Sequence, residues 1–235
     1  MSTLPLRFPF FLVIFLAATQ AWGQSEDSSE SRFGIGLEFG PAWFSKNDVR
    51  VPGNSGTQFD MDDLTGSGPD VFARLHGHWN INDKHGLRLV VAPLEVSGTG
   101  ELRDDTDFAG EIFPAGATEG TDNFNGYKLT YRYTVRDRGP WQWRGGWTGV
   151  VRDAHSELRQ GSLRANDDDV GFVPALHLSG ESRFNNRWLF ALDFDGLAGG
   201  PGRLFDVALK FDYALNERWR IGAGDRTLEG GADTD

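Results

Sequence analysis

Between residues 127 and 136 every odd position is aromatic or aliphatic and every even position is basic or hydroxylic. Tyr127, Leu129, Tyr131, Tyr133 and Val135 stand against Lys128, Thr130, Arg132, Thr134 and Arg136. A strand sends successive side chains to opposite faces, so this run offers one face to lipid and the other to water. A membrane barrel uses such two-faced strands throughout, its closed ladder satisfying every backbone polar group inside hydrocarbon; a soluble lipocalin-like barrel shares the alternation.

The same period of two recurs along the chain. Phe33, Ile35, Leu37 and Phe39 oppose Gly34, Gly36, Glu38 and Gly40, and Val71, Ala73, Leu75 and Trp79 oppose Arg74, His76 and His78. Leu87, Leu89 and Val91 flank Arg88; Trp141, Trp143 and Trp147 oppose Gln142, Arg144 and Thr148. Phe172, Leu176 and Leu178 oppose His177, Glu181 and Arg183, and Trp188, Phe190, Leu192 and Phe194 oppose Asp193 and Asp195. Phe205, Val207, Leu209, Phe211 and Tyr213 oppose Asp206, Ala208, Lys210 and Asp212, and a last run puts Trp219, Ile221 and Ala223 outward and Arg220 inward. Nine strands are therefore expected.

Short Asn, Asp and Gly turns (80–84, 137–140, 185–186, 216–218) join some of these runs, with a Gly/Pro turn at 199–202. Longer, mostly acidic stretches near 45–69, 98–123 and 154–168 are expected to be loops. Tight periplasmic turns and longer external loops are the asymmetry of outer-membrane barrels. Trp79, Trp141, Trp188 and Trp219 flank the short turns. They predict an aromatic girdle at the periplasmic interface, the alternative being tryptophans in the core of a soluble β protein.

The N-terminus reads as a secretory signal over residues 1–23. Arg7 precedes an apolar stretch, and Ala21 and Gly23 offer small residues before a cleavage at Gln24. That stretch is shorter than the roughly 20 residues of a spanning helix. Residues 24–31 are polar and expected to be flexible, leaving 32–235 as one barrel domain. Nine is an odd number, whereas single-chain bacterial barrels have even strand counts. A tenth, C-terminal strand is expected to be missing from the sequence, unless one is concealed in 45–68 or 98–123. Asp225 falls on the lipid-facing parity and is expected near the outer rim or at a bulge.

The chain has no cysteine, which excludes disulfides, thiolate metal sites and a cysteine nucleophile. Its formal net charge of −11 argues against nucleic-acid binding, which needs a basic footprint. These features together resemble the small outer-membrane β-barrel proteins of Gram-negative bacteria, of the OmpA/OmpX-like class. The run from Tyr127 to Tyr133 and the phrases Val170-Gly171-Phe172-Val173-Pro174 and Arg226-Thr227-Leu228-Glu229-Gly230-Gly231 carry the likeness. It implies an up-and-down transmembrane barrel in the cell outer membrane, in contact with outer-membrane lipid and lipopolysaccharide, and leaves activity open.

Basic inward positions (Arg74, Arg88, Lys128, Arg132, Arg144) fall on early strands and acidic ones (Asp193, Asp195, Asp206, Asp212) on later strands, with Lys210 among them. Across a narrow interior they predict a salt-bridged, plugged lumen, because an unpaired buried ion costs several kcal/mol. The alternative is a narrow solute path. His76 and His78 could ligate a metal only with a third ligand, and none is evident; lumen hydrogen bonding is the expected role for them and for His177. No cofactor is expected.

Three other readings stay open. Asp153 and His155, with Asp105 and Asp107, resemble loosely the Asp/His pair and acidic residues of omptin proteases, although Asp153 has the lipid-facing parity. His155-Ser156-Glu157 is the compact candidate for a Ser-His-acid lipid hydrolase. A soluble lipocalin-like binder would turn the apolar face inward. The leading expectation is a non-enzymatic structural, interaction or narrow-permeation barrel, meeting surface partners through its long acidic loops. Clustered carboxylates such as those at 166–169 could bind a divalent cation, although no EF-hand spacing is present and solvated loops are the default.

Overall fold

The computed structural model describes residues 2–16, 32–137, 139–185, 187–199 and 202–232. Ten antiparallel strands pair in a closed ring. They are β1 (Ser2–Leu16), β2 (Phe33–Phe44), β5 (Asp70–Asn80), β6 (His85–Ala92), β10 (Gly116–Asp137), β11 (Trp141–Gln160), β12 (Leu163–Arg183), β13 (Trp188–Gly199), β14 (Gly202–Ala214) and β15 (Trp219–Ala232). The external connections add β3 (Asp48–Val49), β4 (Phe59–Asp60), α1 (Asp62–Thr65), β7 (Glu95–Leu102), β8 (Thr106–Phe108) and β9 (Glu111–Phe113). The pairing of β10 with β11 closes the circle. Among the described residues no helix is long and apolar enough to cross a membrane.

The nine alternating runs are nine strands of the ring. The tenth place, between β15 and β2, is taken by β1, within the segment read as an export signal. Both of its ladders carry a register shift, between Phe8 and Phe11 on one side and between Arg7 and Leu12 on the other. Pro5 and Pro9 add two positions with no N–H to donate. Cleavage before Gln24 would remove β1 and leave β2 and β15 as facing edges. Residues 17–31, and with them the segment 24–31, lie outside the described residues, as do Thr234 and Asp235.

Alternation sorts the side chains as lipid requires. Leu129, Val135, Trp147, Phe172, Leu209 and Phe211 are exposed on the outer face, whereas Glu38, Lys128, Asp206 and Lys210 are buried inside. That arrangement is the reverse of a lipocalin-like binder, whose apolar face lines the interior. Asp225 does face outward, opposite Leu209 in an unbroken β14–β15 register; the irregularity lies in β1, whose shift spans Gly224–Arg226.

Three tight turns at one end share one construction. Asn82 Oδ1 accepts from the backbone N–H groups of Lys84 and His85, Asn185 from Arg187 and Trp188, and Asn216 from Arg218 and Trp219. An apolar residue precedes each Asn (Ile81, Phe184, Leu215), and its N–H bonds the carbonyl four places on. The side chain thus satisfies two turn amides that the ladder leaves over. Beside these turns Trp79 stacks on Phe33 at 5.8 Å, Trp188 packs on Tyr213 at 4.9 Å, and Trp141 meets Phe190 edge-on at 5.7 Å.

At the other end the expected loops differ from the sequence reading. Residues 154–168 are no loop: β11 and β12 stay paired through Arg159↔Arg164, with a tight turn at Gly161, where φ is +59°. Period-two patterning persists there, but the outer face is polar and the inner face mixes Leu158 and Ala165 with Ser156 and Asp167, so the strands do not announce themselves by hydropathy. Twenty residues of β11 span ~66 Å at about 3.3 Å per residue, far more than a ~25 Å apolar band even when tilted. The β10–β11–β12 wall therefore stands well clear of the membrane. Against its inner face the 45–69 and 93–115 connections fold into a cap with its own core of Val49, Met61, Leu64, Leu102, Phe108, Phe113, Leu158 and Ala165. Gly100 lets α1 lie directly on β7, since a Cβ there would sit 2.0 Å from the Asp63 carbonyl oxygen.

Candidate functional site

The barrel interior is built in layers, each set by stepping two residues along the inner face of a strand. The middle layer is a continuous ionic network. Arg226 binds Glu38 through both Nε (3.0 Å) and Nη2 (3.2 Å), and its third nitrogen reaches Asp206. Asp206 also takes Arg74 (3.3 Å) and Lys128. Lys128 continues to Asp195 (3.2 Å), Arg88 joins Asp195 (3.5 Å) to Asp193 (2.7 Å), and Lys210 links Asp193 (3.1 Å) back towards Glu38 (3.9 Å). His177 Nδ1 lies 2.7 Å from Asp195 and the Thr148 hydroxyl donates to the same carboxylate, while His76 Nε2 lies 3.1 Å from Glu38.

The network sets five cations (Arg74, Arg88, Lys128, Lys210, Arg226) against four carboxylates (Glu38, Asp193, Asp195, Asp206). Such near-neutrality is the condition for burying charge in a narrow lumen. Strands from opposite sides of the ring supply the partners, so β5, β6 and β10 are tied across to β13 and β14.

Glu38 and Arg226 are the centre of the network and were not among the residues singled out in the sequence. Glu38, 0% exposed, sits between glycines, and Arg226 lies beyond the last alternating run. Nearer the short turns Arg144 pairs with Glu181 at 3.0 Å and also binds Gln142. Arg132 and Asp212 are buried but form no ion pair among the described residues.

One step outward along the same faces the residues become apolar. Phe72 follows Arg74, Leu204 follows Asp206 and Leu228 follows Arg226; with Phe44, Leu94, Val96, Phe124, Ala42 and Ala208 they make a second layer. Above it Asn47 donates to Asp122 (2.8 Å), Ser156 donates to the other oxygen of that carboxylate (2.7 Å), and Asp60 accepts from the backbone of Asn47 and Asp62. Asp62, at the start of α1, has its carboxyl pushed up from 3.8 to about 7 by partial burial and by the neighbouring carboxylates of Asp60, Asp122, Asp63 and Asp70. The cap core closes the stack.

The rim residues separate instead of converging. His155 faces outward and its Nδ1 lies 2.6 Å from Asp168, directly opposite it in the ladder, with Glu157 at 3.8 Å from Nε2. Asp153 pairs in register with Asn125 and Val170 and is no partner of His155. Asp105 accepts from the Ala115 N–H, and the Asp107 N–H donates to Thr57, both within the cap. Ser156 points inward to Asp122, because adjacent strand residues take opposite faces, so His155-Ser156-Glu157 assembles no nucleophile. Among the described residues no three His, Asp or Glu side chains converge as metal ligands.

No protein-family model and no curated protein sequence matches the chain. Among solved structures it is similar to the attachment invasion locus protein Ail of Yersinia pestis (4% identity, 97% of each chain, TM-score 0.36). It is also similar to the outer membrane protease OmpT of Escherichia coli (11% identity, 98% of this chain and 93% of that one, TM-score 0.39). A third is the toluene transporter TbuX of Ralstonia pickettii (9% identity, 97% and 88%, TM-score 0.33). Superpositions this loose add nothing to the fold, which rests on the chain's own pairing: a closed antiparallel barrel of the outer-membrane type, apolar outside and charged within.

Proposed function

We propose that the protein is an integral outer-membrane barrel with a permanently plugged interior, acting without catalysis as a structural or interaction protein. Lipid and lipopolysaccharide would surround its apolar belt, and its folded cap would meet partners at the cell surface. The observation that carries this reading is the stack of three closures along one axis: the ionic network, the apolar layer above it and the cap core. A permeation path would have to cross all three. Glu101, Asp104, Asp105, Glu111 and Glu119 are exposed on this side, and Arg103 is paired with Asp63, so the surface offered suits a basic partner.

The test is reconstitution of the purified protein in planar bilayers, after membrane flotation and a heat-dependent shift in SDS electrophoresis have established a folded barrel. Folded protein that gives no steady conductance supports the reading. Reproducible open-state currents would replace it with the narrow-permeation role.

A further inference from the structure

The barrel wall is parted on one side. The β5–β6 ladder ends at Leu75↔Val91, while β6 gives way to β7 across Pro93 and Leu94, and β7 pairs only with β10 among the described residues. Between the outer half of β5 and this break lies a cavity of about 410 Å³, lined by Val71, Phe72, Ala73, Pro93, Leu94, Glu95, Asn123 and Asn125. Its mouth is on the outer surface, where Val71 is 83% exposed, more than any other large apolar side chain described. Its floor is Phe72 and Leu94, which belong to the inner apolar layer.

We propose that this lateral notch binds the alkyl chain of an uncharged single-chain amphiphile, entering from the lipid phase with its head at the outer interface. The inference rests on the membrane-embedded reading above. The side chains of Val71, Ala73, Pro93, Leu94 and Phe72 offer hydrocarbon contact along this open cleft, as an apolar tail needs. Polar side chains occur only as Asn123, Asn125 and Glu95, beside the backbone of the parted strand edge. The amides can bond a hydroxyl head, and Glu95, the one formal charge of the lining, repels a carboxylate or phosphate. A strand edge parted in this way is tolerable only where polar groups can reach it, which places the notch at the interface and not deep in hydrocarbon. The floor backs onto the apolar layer and the ionic network, so the notch holds a chain and conducts nothing inward.

The experiment uses the full chain in vesicles with a diazirine-tailed decanol as photolabel, read by peptide mapping. Labelling of Phe72 and Leu94 several-fold above the lipid-facing Leu209 and Phe211, lost in Ala73→Trp and competed by decanol but not by decanoate, is the expected result. In Glu95→Gln, decanoate should begin to compete. Label spread evenly over the outward strand faces, or decanoate competing as well as decanol in the unaltered protein, would overturn the proposal while leaving the plugged barrel standing. A protein that fails to float with the vesicles would overturn both.

Discussion

Arg226 ties two carboxylates from different strands, Glu38 and Asp206, to one guanidinium through three hydrogen bonds. Removing one partner of a buried ion pair leaves the other charge without compensation, which costs about 3–5 kcal/mol. Arg226→Ala is expected to lower barrel stability by that amount, measured as the denaturant midpoint of the heat-modifiable species. The double variant Arg226→Met with Glu38→Gln should recover part of the loss, since it removes both charges together. Parity in the sequence does put Glu38 on the inner face. What it could not convey is which strands face one another across the ring, and so which carboxylate Arg226 would meet. The same limit applies to Arg132 and Asp212, which have the right parity and burial but join no ion pair among the described residues.

At the scale of the element, the nine strands that span the membrane were legible because lipid on one side and charge on the other force strict alternation. The cap was not, because Val49, Met61, Leu64, Phe108 and Phe113 come from short pieces with no shared period. Its pH response follows from Asp62. The folded state holds that proton more tightly than the unfolded chain, with its carboxyl at about 7 against an ordinary 3.8. The contribution to cap stability is therefore present at low pH and is lost as pH rises through the window between those values. Protease nicking within 45–69 should quicken as pH rises from about 4 to about 7 and level off above that, and Asp62→Asn should flatten the dependence. A pH-independent nicking rate in the unaltered protein would contradict this. Ring closure has its own weak element. Both ladders of β1 carry register shifts and proline positions, whereas the β11–β12 register runs unbroken from Trp141 to Gln160. Amide exchange in full-length chain is expected to be fastest along β2 and β15 and slowest along β11, and equal protection around the ring would show the seam to be sound.

Over the whole molecule, the interior closures are built from different strands and different chemistry, so they should fail one at a time. The cap core depends on Phe108 and Phe113 packed against Leu158, and the ionic network lies beyond an intervening apolar layer with which it shares strands but no side chains. Truncating both phenylalanines forfeits several kcal/mol of packing in a domain that has no membrane around it to hold it together. The double variant Phe108→Ala with Phe113→Ala should therefore lose cap protection against protease while keeping its heat-modifiable mobility and its silence in planar bilayers. Adding Lys128→Ala and Asp195→Ala removes one cation and one anion, so the remaining network keeps its balance but loses a bridge from β10 to β12 and β13. Small, flickering currents are expected only in that combined variant, with the apolar layer as the last resistance to ions. Conductance from the cap variant alone would mean that the cap, and not the network, closes the barrel.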